Sequence, residues 1–296
     1  MLNVRKIQKE KIRRTVGERV FLSVMFVIFT VYAISLLFPF VWIGYNSLKL
    51  DGYEDFVLDV WGLPKDPMAG LQNYKEVFLL TWSGYNFFDM TLNTIEYVAI
   101  MTLIGTYLPM QTAYVISKYE FKLRKLYYAI AIATISIPLC GGLASMIILL
   151  SKLKLYGSYL GIYLMGATGF GGSFLLFYSY FRNLSWSYAE AAFMDGAGHF
   201  RVFLFINLPM ALPIMVAVTV MAFIGTWNDY FNVYMYAHDR PTLSVGVQFL
   251  GETMVTRFQY PKLFAFMMVS MIPGLLIFSI FQNTIMNNFS LGGLKG

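Results

Sequence analysis

The chain has 296 residues, of which 58% are apolar and only 13% charged, with a mean hydropathy of +0.60. That charged share is about half of what a soluble domain carries, so an ordinary water-soluble fold is excluded. The net charge of +6 does not mark a nucleic-acid binder, because the basic residues follow a membrane topology instead. The single cysteine, Cys140, excludes an internal disulfide framework and a cysteine-only metal site, and reads as a small packed side chain. His199 and His238 lie far apart and lack metal-ligand spacing, so no metal site is expected.

Taken in chain order, residues 1–19 form a basic segment with Arg5, Lys6, Lys9, Lys11, Arg13, Arg14 and Arg19. It reads as the cytosolic flank of a first span, in reach of anionic lipid. A cleavable signal peptide does not fit, since the apolar run after Arg19 is too long and no small-residue site closes it. Spanning helices need about 20 mainly apolar residues. Six stretches qualify, at 20–48, 90–117, 126–150, 160–181, 208–230 and 263–285. In lipid the backbone must satisfy itself, and runs without period-two alternation read as helices.

The segment 49–89 carries Asp51, Glu54, Asp55, Asp59, Asp66, Glu76 and Asp89 against three lysines, and faces outward as a small lid or docking surface. Lys118, Lys122, Arg124, Lys125, Arg182, Arg201 and Lys295 fall on the side of the N-terminus. The expected fold class is an all-α integral membrane protein of six transmembrane helices with both termini cytosolic. Its membrane domain covers 20–296, with a cytosolic hairpin at about 182–207 between the fourth and fifth helices. Pro138, Gly141 and Gly142 interrupt the third span. Gly166, Gly169, Gly171 and Gly172 mark close packing or a break in the fourth. No GxxxxGK[ST] sequence occurs, so these glycines are not a phosphate cradle.

The hairpin contains Glu190-Ala191-Ala192-Phe193-Met194-Asp195-Gly196-Ala197-Gly198 and runs on to Ile206-Asn207-Leu208-Pro209 and Pro213. Ser187 and Glu190 have capping-box spacing for a first short helix, and Asp195-Gly196 stops it. A second amphipathic stretch should place Phe200, Phe203, Leu204 and Ile206 on its apolar side. On composition alone, an interfacial hairpin that merely connects two spans fits equally well.

These residues resemble the EAA loop of permease subunits of ATP-binding-cassette importers. The Thr226-Trp227-Asn228-Asp229-Tyr230 stretch, Thr242-Leu243 and the tail Gly292-Gly293-Leu294-Lys295-Gly296 resemble the carbohydrate-uptake branch, in particular its maltose-type second permease. The resemblance implies that Glu190, Ala191, Ala192, Asp195, Gly196 and Ala197 form a coupling helix seated on an ATPase subunit. Lys295 and Gly296 would contact the ATPase pair. It also implies two ATPase subunits holding ATP and Mg, a second homologous permease, an external sugar-binding protein and no cofactor in this chain.

Ionisable groups within spans are functional candidates. Glu96 with Asn93, and Asp229 with Asn228, either line the substrate path or sit hydrated and paired near the outer interface. No nucleophile, acid or base constellation is present, so no enzyme is expected. The alternative to an importer permease is a self-contained secondary transporter or channel for a small polar solute, which should show internal repeats; no convincing repeat is seen.

Overall fold

The computed structural model describes residues 15–50, 56–82, 84–137, 142–257 and 259–291. The basic N-terminal arm up to Arg14, Pro138, Cys140, Gly141, and the tail with Lys295 and Gly296 lie outside these described residues.

Helix α1 (Val16–Asn46) opens on a capping box in which Thr15 Oγ1 accepts from Glu18 N–H and Glu18 returns a bond to Thr15 N–H. It is apolar on every side, and none of its hydrophobic stretch is buried within the chain, the pattern of a helix surrounded by lipid or by another chain. Only its C-terminal end packs, with Trp42 edge-on to Phe264 at 5.4 Å and Asn73 bonding the Ser47 and Lys49 carbonyls.

Helix α2 (Pro67–Leu79) and a two-stranded hairpin, β1 (Thr81–Trp82) and β2 (Tyr85–Asn86), lead into α3 (Phe87–Lys118). Helix α3 is the central element, packed chiefly against α7 (Gly172–Asn183) and α10 (Leu208–Trp227). Lipid is as apolar as these side chains, so the hydrophobic effect does not hold the helices together; close packing and interhelical hydrogen bonds do. Phe174, Phe177 and Phe181 of α7 supply the packing against Met110, Ala113 and Tyr114 of α3. Tyr180 supplies one such hydrogen bond, to the Met210 carbonyl.

Four helices among the described residues are long and apolar enough to cross a membrane: Val16–Asn46, Phe87–Lys118, His199–Trp227 and Tyr260–Ile280. The expected third and fourth spans are not single helices. The stretch 126–150 holds two helices, α4 (Arg124–Ser136), which ends on an extended Ile137, and α5 (Leu143–Lys152), which starts after Gly142. The stretch 160–181 holds α6 (Tyr159–Gly166) and α7, separated by a glycine-rich break. Gly171 has φ +114°, which a side chain strains to adopt, and a Cβ at Gly169 would fall 2.2 Å from Thr112 Oγ1 of α3. The glycines therefore both break the helix and let it touch α3.

Three shorter elements follow in order. These are α8 (Ser187–Met194), α9 (His199–Val202), and then, beyond α10, α11 (Phe231–Tyr236). Helix α12 (Leu243–Thr256) and the long α13 (Tyr260–Leu291) complete the chain. Helix α9 does not stand alone. It continues through one π-helical turn (Phe203–Asn207) into α10. Pro209 has no N–H to donate, and the turn widens so that Leu208 N–H reaches Phe203 O. Asn207 fills the gap, its amide bonding Val202 O at 3.3 Å and Tyr114 Oη of α3 at 3.1 Å.

Along α3, Glu96 and Lys118 are separated by about 33 Å at the helical rise. The described part of the acidic segment (α2 and residues 80–89), α11 and α12 gather at the Glu96 end, and α8 with α9 at the Lys118 end. The hairpin and the acidic segment thus occupy opposite ends of the bundle.

Candidate functional site: the exposed hairpin, an outer polar clamp and a groove

The hairpin is built on helix-forming residues ended by glycine. At the end of α8, Ala197 N–H bonds Ala192 O at 2.9 Å and Gly196 N–H bonds Phe193 O at 3.0 Å, with Gly196 at φ +82°. This is a Schellman closure, and its left-handed residue is the glycine that the sequence placed there. The expected capping box at the other end does not form. The N-cap is Trp186, with no side-chain bond, and the Ser187 hydroxyl pairs with Ser185 instead.

Glu190, Ala191, Asp195 and Gly196 are exposed, Ala192 and Ala197 half-buried, and Ala189 buried beneath them. Neither Glu190 nor Asp195 has a side-chain partner among the described residues. Met194 is 89% exposed and Phe200 74%. Phe200 was expected on the buried side; the helix phase set by Val202, Phe203 and Asn207, which are buried, turns it outward. A shallow cavity of about 420 Å³ lies between Ala192, Asp195, Ala197, Arg201 and Phe205. The hairpin stands on an aromatic base. Phe193 meets His199 at 4.8 Å, His199 meets Tyr119 at 5.4 Å, and Lys118 lies over Trp186 while bonding the Leu184 carbonyl. Tyr114 and Phe203, 4.7 Å apart, carry the packing on into α3 and the π turn.

At the other end, Arg240 holds Glu96 through two bonds of 2.8 and 3.2 Å and reaches Asn93 Oδ1 at 3.0 Å. Its guanidinium lies 4.7 Å from the Tyr159 ring centre, and Tyr159 Oη donates to the Arg240 carbonyl. Hydrogen bonding to Glu96 pushes the Arg240 pKa above the ordinary arginine value, so the group stays charged. Asn93 also bonds Pro241 O, and Thr94 Oγ1 accepts from Leu243 N–H at 2.8 Å. Glu96 and Asn93 therefore clamp the loop that starts α12.

Asp229 does similar work. It accepts from Tyr97 Oη at 2.7 Å and from the backbone and side chain of Asn232, joining α10 and α11 to α3. Of the four polar candidates only Asn228 lines a groove of about 560 Å³ between α10, α12 and α13. Trp227, Ser244, Gln248 and Ser270 line it too.

Residues 105–289 match the model of the binding-protein-dependent transport system inner membrane component family. The chain belongs to this family. Among its relatives is the diacetylchitobiose uptake system permease protein NgcG of Streptomyces coelicolor, 27% identical over 283 residues, covering 94% of this chain and 91% of that one. Another is the trehalose/maltose transport system permease protein MalG of Thermococcus litoralis, 26% identical over 268 residues, covering 89% and 93%. The fold is similar to a chain in the crystal structure of a bacterial ABC transporter involved in the import of the acidic polysaccharide alginate. That match has a TM-score of 0.73 at 23% identity, over 91% of this chain and 98% of that one.

The permease is thus a multi-pass membrane protein, and membership implies ATPase and binding-protein partners in general terms. Sequence reasoning missed Arg240, the partner of Glu96, because the two are 144 positions apart. It also missed Asn207 and the Trp186–Phe193–His199–Tyr119 base. The aromatic spacing around the Glu190 motif was the available signal for that base.

Proposed function

We propose that the permease is one membrane subunit of an ATP-driven importer that moves an oligosaccharide or related sugar from an external binding protein into the cytosol. The observation that carries this reading is the hairpin. It presents Glu190 and Asp195, unpaired among the described residues, and exposed apolar side chains on a glycine-closed turn, at the end of the bundle away from the described part of the acidic segment. Met194 and Phe200, large apolar side chains exposed beside carboxylates, suit a protein partner rather than water. The relatives named for sugar uptake support the substrate class.

In this reading two ATPase subunits carry ATP and Mg, and the cavity beside Asp195 belongs to their interface. The tail at Lys295 and Gly296 reaches the same subunits. A second, homologous permease completes the pore as a heterodimer. The α4–α5 and α6–α7 pairs serve as broken third and fourth crossings, giving six, with both termini in the cytosol of a bacterial or archaeal cell. The aromatic base passes motion of the hairpin to α3, and the π turn passes it to α10.

The test is native mass spectrometry of the complex captured from membranes in mild detergent, wild type beside Gly196→Val. Wild type should carry two ATPases and a second permease. The variant, strained at φ +82°, should keep the permease pair, lose the ATPases and abolish uptake. Retention of both ATPases and full uptake by Gly196→Val would overturn the coupling role.

A further inference from the structure

We infer that the loop 56–64, within the acidic segment, docks on the lipid surface through Leu58, Trp61 and Leu63. Its surroundings in sequence suggest otherwise, since a segment rich in carboxylates reads as a lid or docking surface held in water. The inference needs only that the chain spans a membrane, so it stands or falls apart from the importer reading.

Depth is the first argument. No charged residue occurs between Arg19 and Lys49. Counted from Arg19 at the helical rise, Phe38 lies about 28 Å along α1 and Trp42 about 34 Å. A hydrocarbon layer about 30 Å thick therefore ends between them. The Trp61 ring sits 6.1 Å from Phe38 and 6.2 Å from Trp42, which places it at that boundary. Helix α13 marks the same level independently. Its apolar run begins just after Lys262, which pairs with Glu76 at 2.6 Å, and Phe264 meets Trp42 at 5.4 Å.

The way the loop is held is the second. Phe56 is buried against Tyr260 at 5.0 Å and Phe264 at 5.3 Å. Lys49, itself buried, donates to the Asp59 carbonyl, and Asp59 Oδ1 accepts from Gly62 N–H at 2.8 Å. The loop is thus tied to the bundle through its backbone and Phe56, while Trp61 is 72% exposed, Leu58 65% and Leu63 79%. Three large apolar side chains presented together mark an interaction surface. The patch continues into Leu37, Phe38 and Val41 of α1, which are exposed as well. Indole is also a ring that membrane–water interfaces favour.

Charge completes the choice of occupant. Asp59 is the one charged residue within 56–64, so anionic headgroups gain nothing there and the contact is apolar insertion. Lipid already surrounds a spanning helix at this depth, and it covers the patch without a further chain.

The experiment is a spin-label depth measurement on the whole complex in nanodiscs. The label is placed at Leu63→Cys or Leu58→Cys, with every other cysteine removed. Its collisions with oxygen, which concentrates in lipid, are compared with collisions with a nickel chelate, which stays in water. Nitroxides on the headgroup and acyl chains of phosphatidylcholine calibrate the depth. Both labels should lie between the headgroup and the upper acyl positions, in pure phosphatidylcholine and equally with phosphatidylglycerol added. Adding Trp61→Asp should raise the nickel-to-oxygen collision ratio of the Leu63→Cys label several-fold.

A label as open to nickel as one at Asp239→Cys, a side chain 67% exposed, would leave the loop in water and overturn the inference. Exclusion of both oxygen and nickel would overturn it too, because a protein, the second permease or the binding protein, would then cover the patch. Depth that requires phosphatidylglycerol, or that ignores Trp61→Asp, would sink the apolar anchor.

Discussion

Glu96 shows how a residue's meaning depends on its partner. In sequence it is a carboxylate within an apolar run, as ready to bind a sugar as to hold a loop. In the structure it is spent on Arg240 by a two-point ion pair, with Asn93 on the same guanidinium. About two fifths of each side chain remains exposed, so solvent screens the pair and breaking it should cost about 1 kcal/mol. Glu96→Ala should therefore lower the unfolding midpoint slightly and reduce uptake, and the exchange Glu96→Arg with Arg240→Glu should restore most of both. Persistent loss of uptake in the exchanged double variant, with the midpoint recovered, would show instead that the carboxylate at position 96 meets the solute. Asn228 and Asp229, neighbours in sequence, separate in the same way: one lines the groove and the other is consumed by Tyr97 and Asn232.

At the level of elements, the hairpin and the π turn behave as one lever. The turn exists because Pro209 removes a donor, and Asn207 stabilises it by bonding both Val202 O and Tyr114. Asn207→Leu would remove both of these side-chain bonds. Membrane hydrogen bonds average about 0.6 kcal/mol, so two should be worth roughly 1–2 kcal/mol, read as a lower midpoint in detergent. If the turn transmits motion, the variant should also hydrolyse ATP with less stimulation by sugar-loaded binding protein while still carrying its ATPases; normal stimulation would reduce Asn207 to a packing role. The helix-stop at Gly196 was legible in sequence because one residue type alone tolerates the left-handed backbone at no cost. The start of α8 was not, because Ser185 competes for the Ser187 hydroxyl, a local contest that spacing does not rank.

For the whole molecule, the two ends of the bundle should face different compartments. In a Cys140→Ser background, Asp239→Cys should react with a membrane-impermeant maleimide added to spheroplasts, and Ser187→Cys only after the membrane is opened. The reverse pattern would invert the topology, and labelling of both from outside would remove the cytosolic placement of the hairpin.

By itself the sequence determined that this is a helical membrane protein, where its apolar stretches lie, and which loop carries the family's motif. Those properties are set by composition, by runs of about 20 residues and by neighbours a few positions apart. It also marked the breaks in the third and fourth stretches, since proline and glycine act locally. Only the tertiary structure decided which polar groups are already paired. Arg240 finds Glu96, Tyr97 finds Asp229, and Ser270 finds no partner among the described residues. Each pairing joins residues more than 130 positions apart, and what brings them together is the packing of α6, α10 and α12 around α3, which no local pattern encodes.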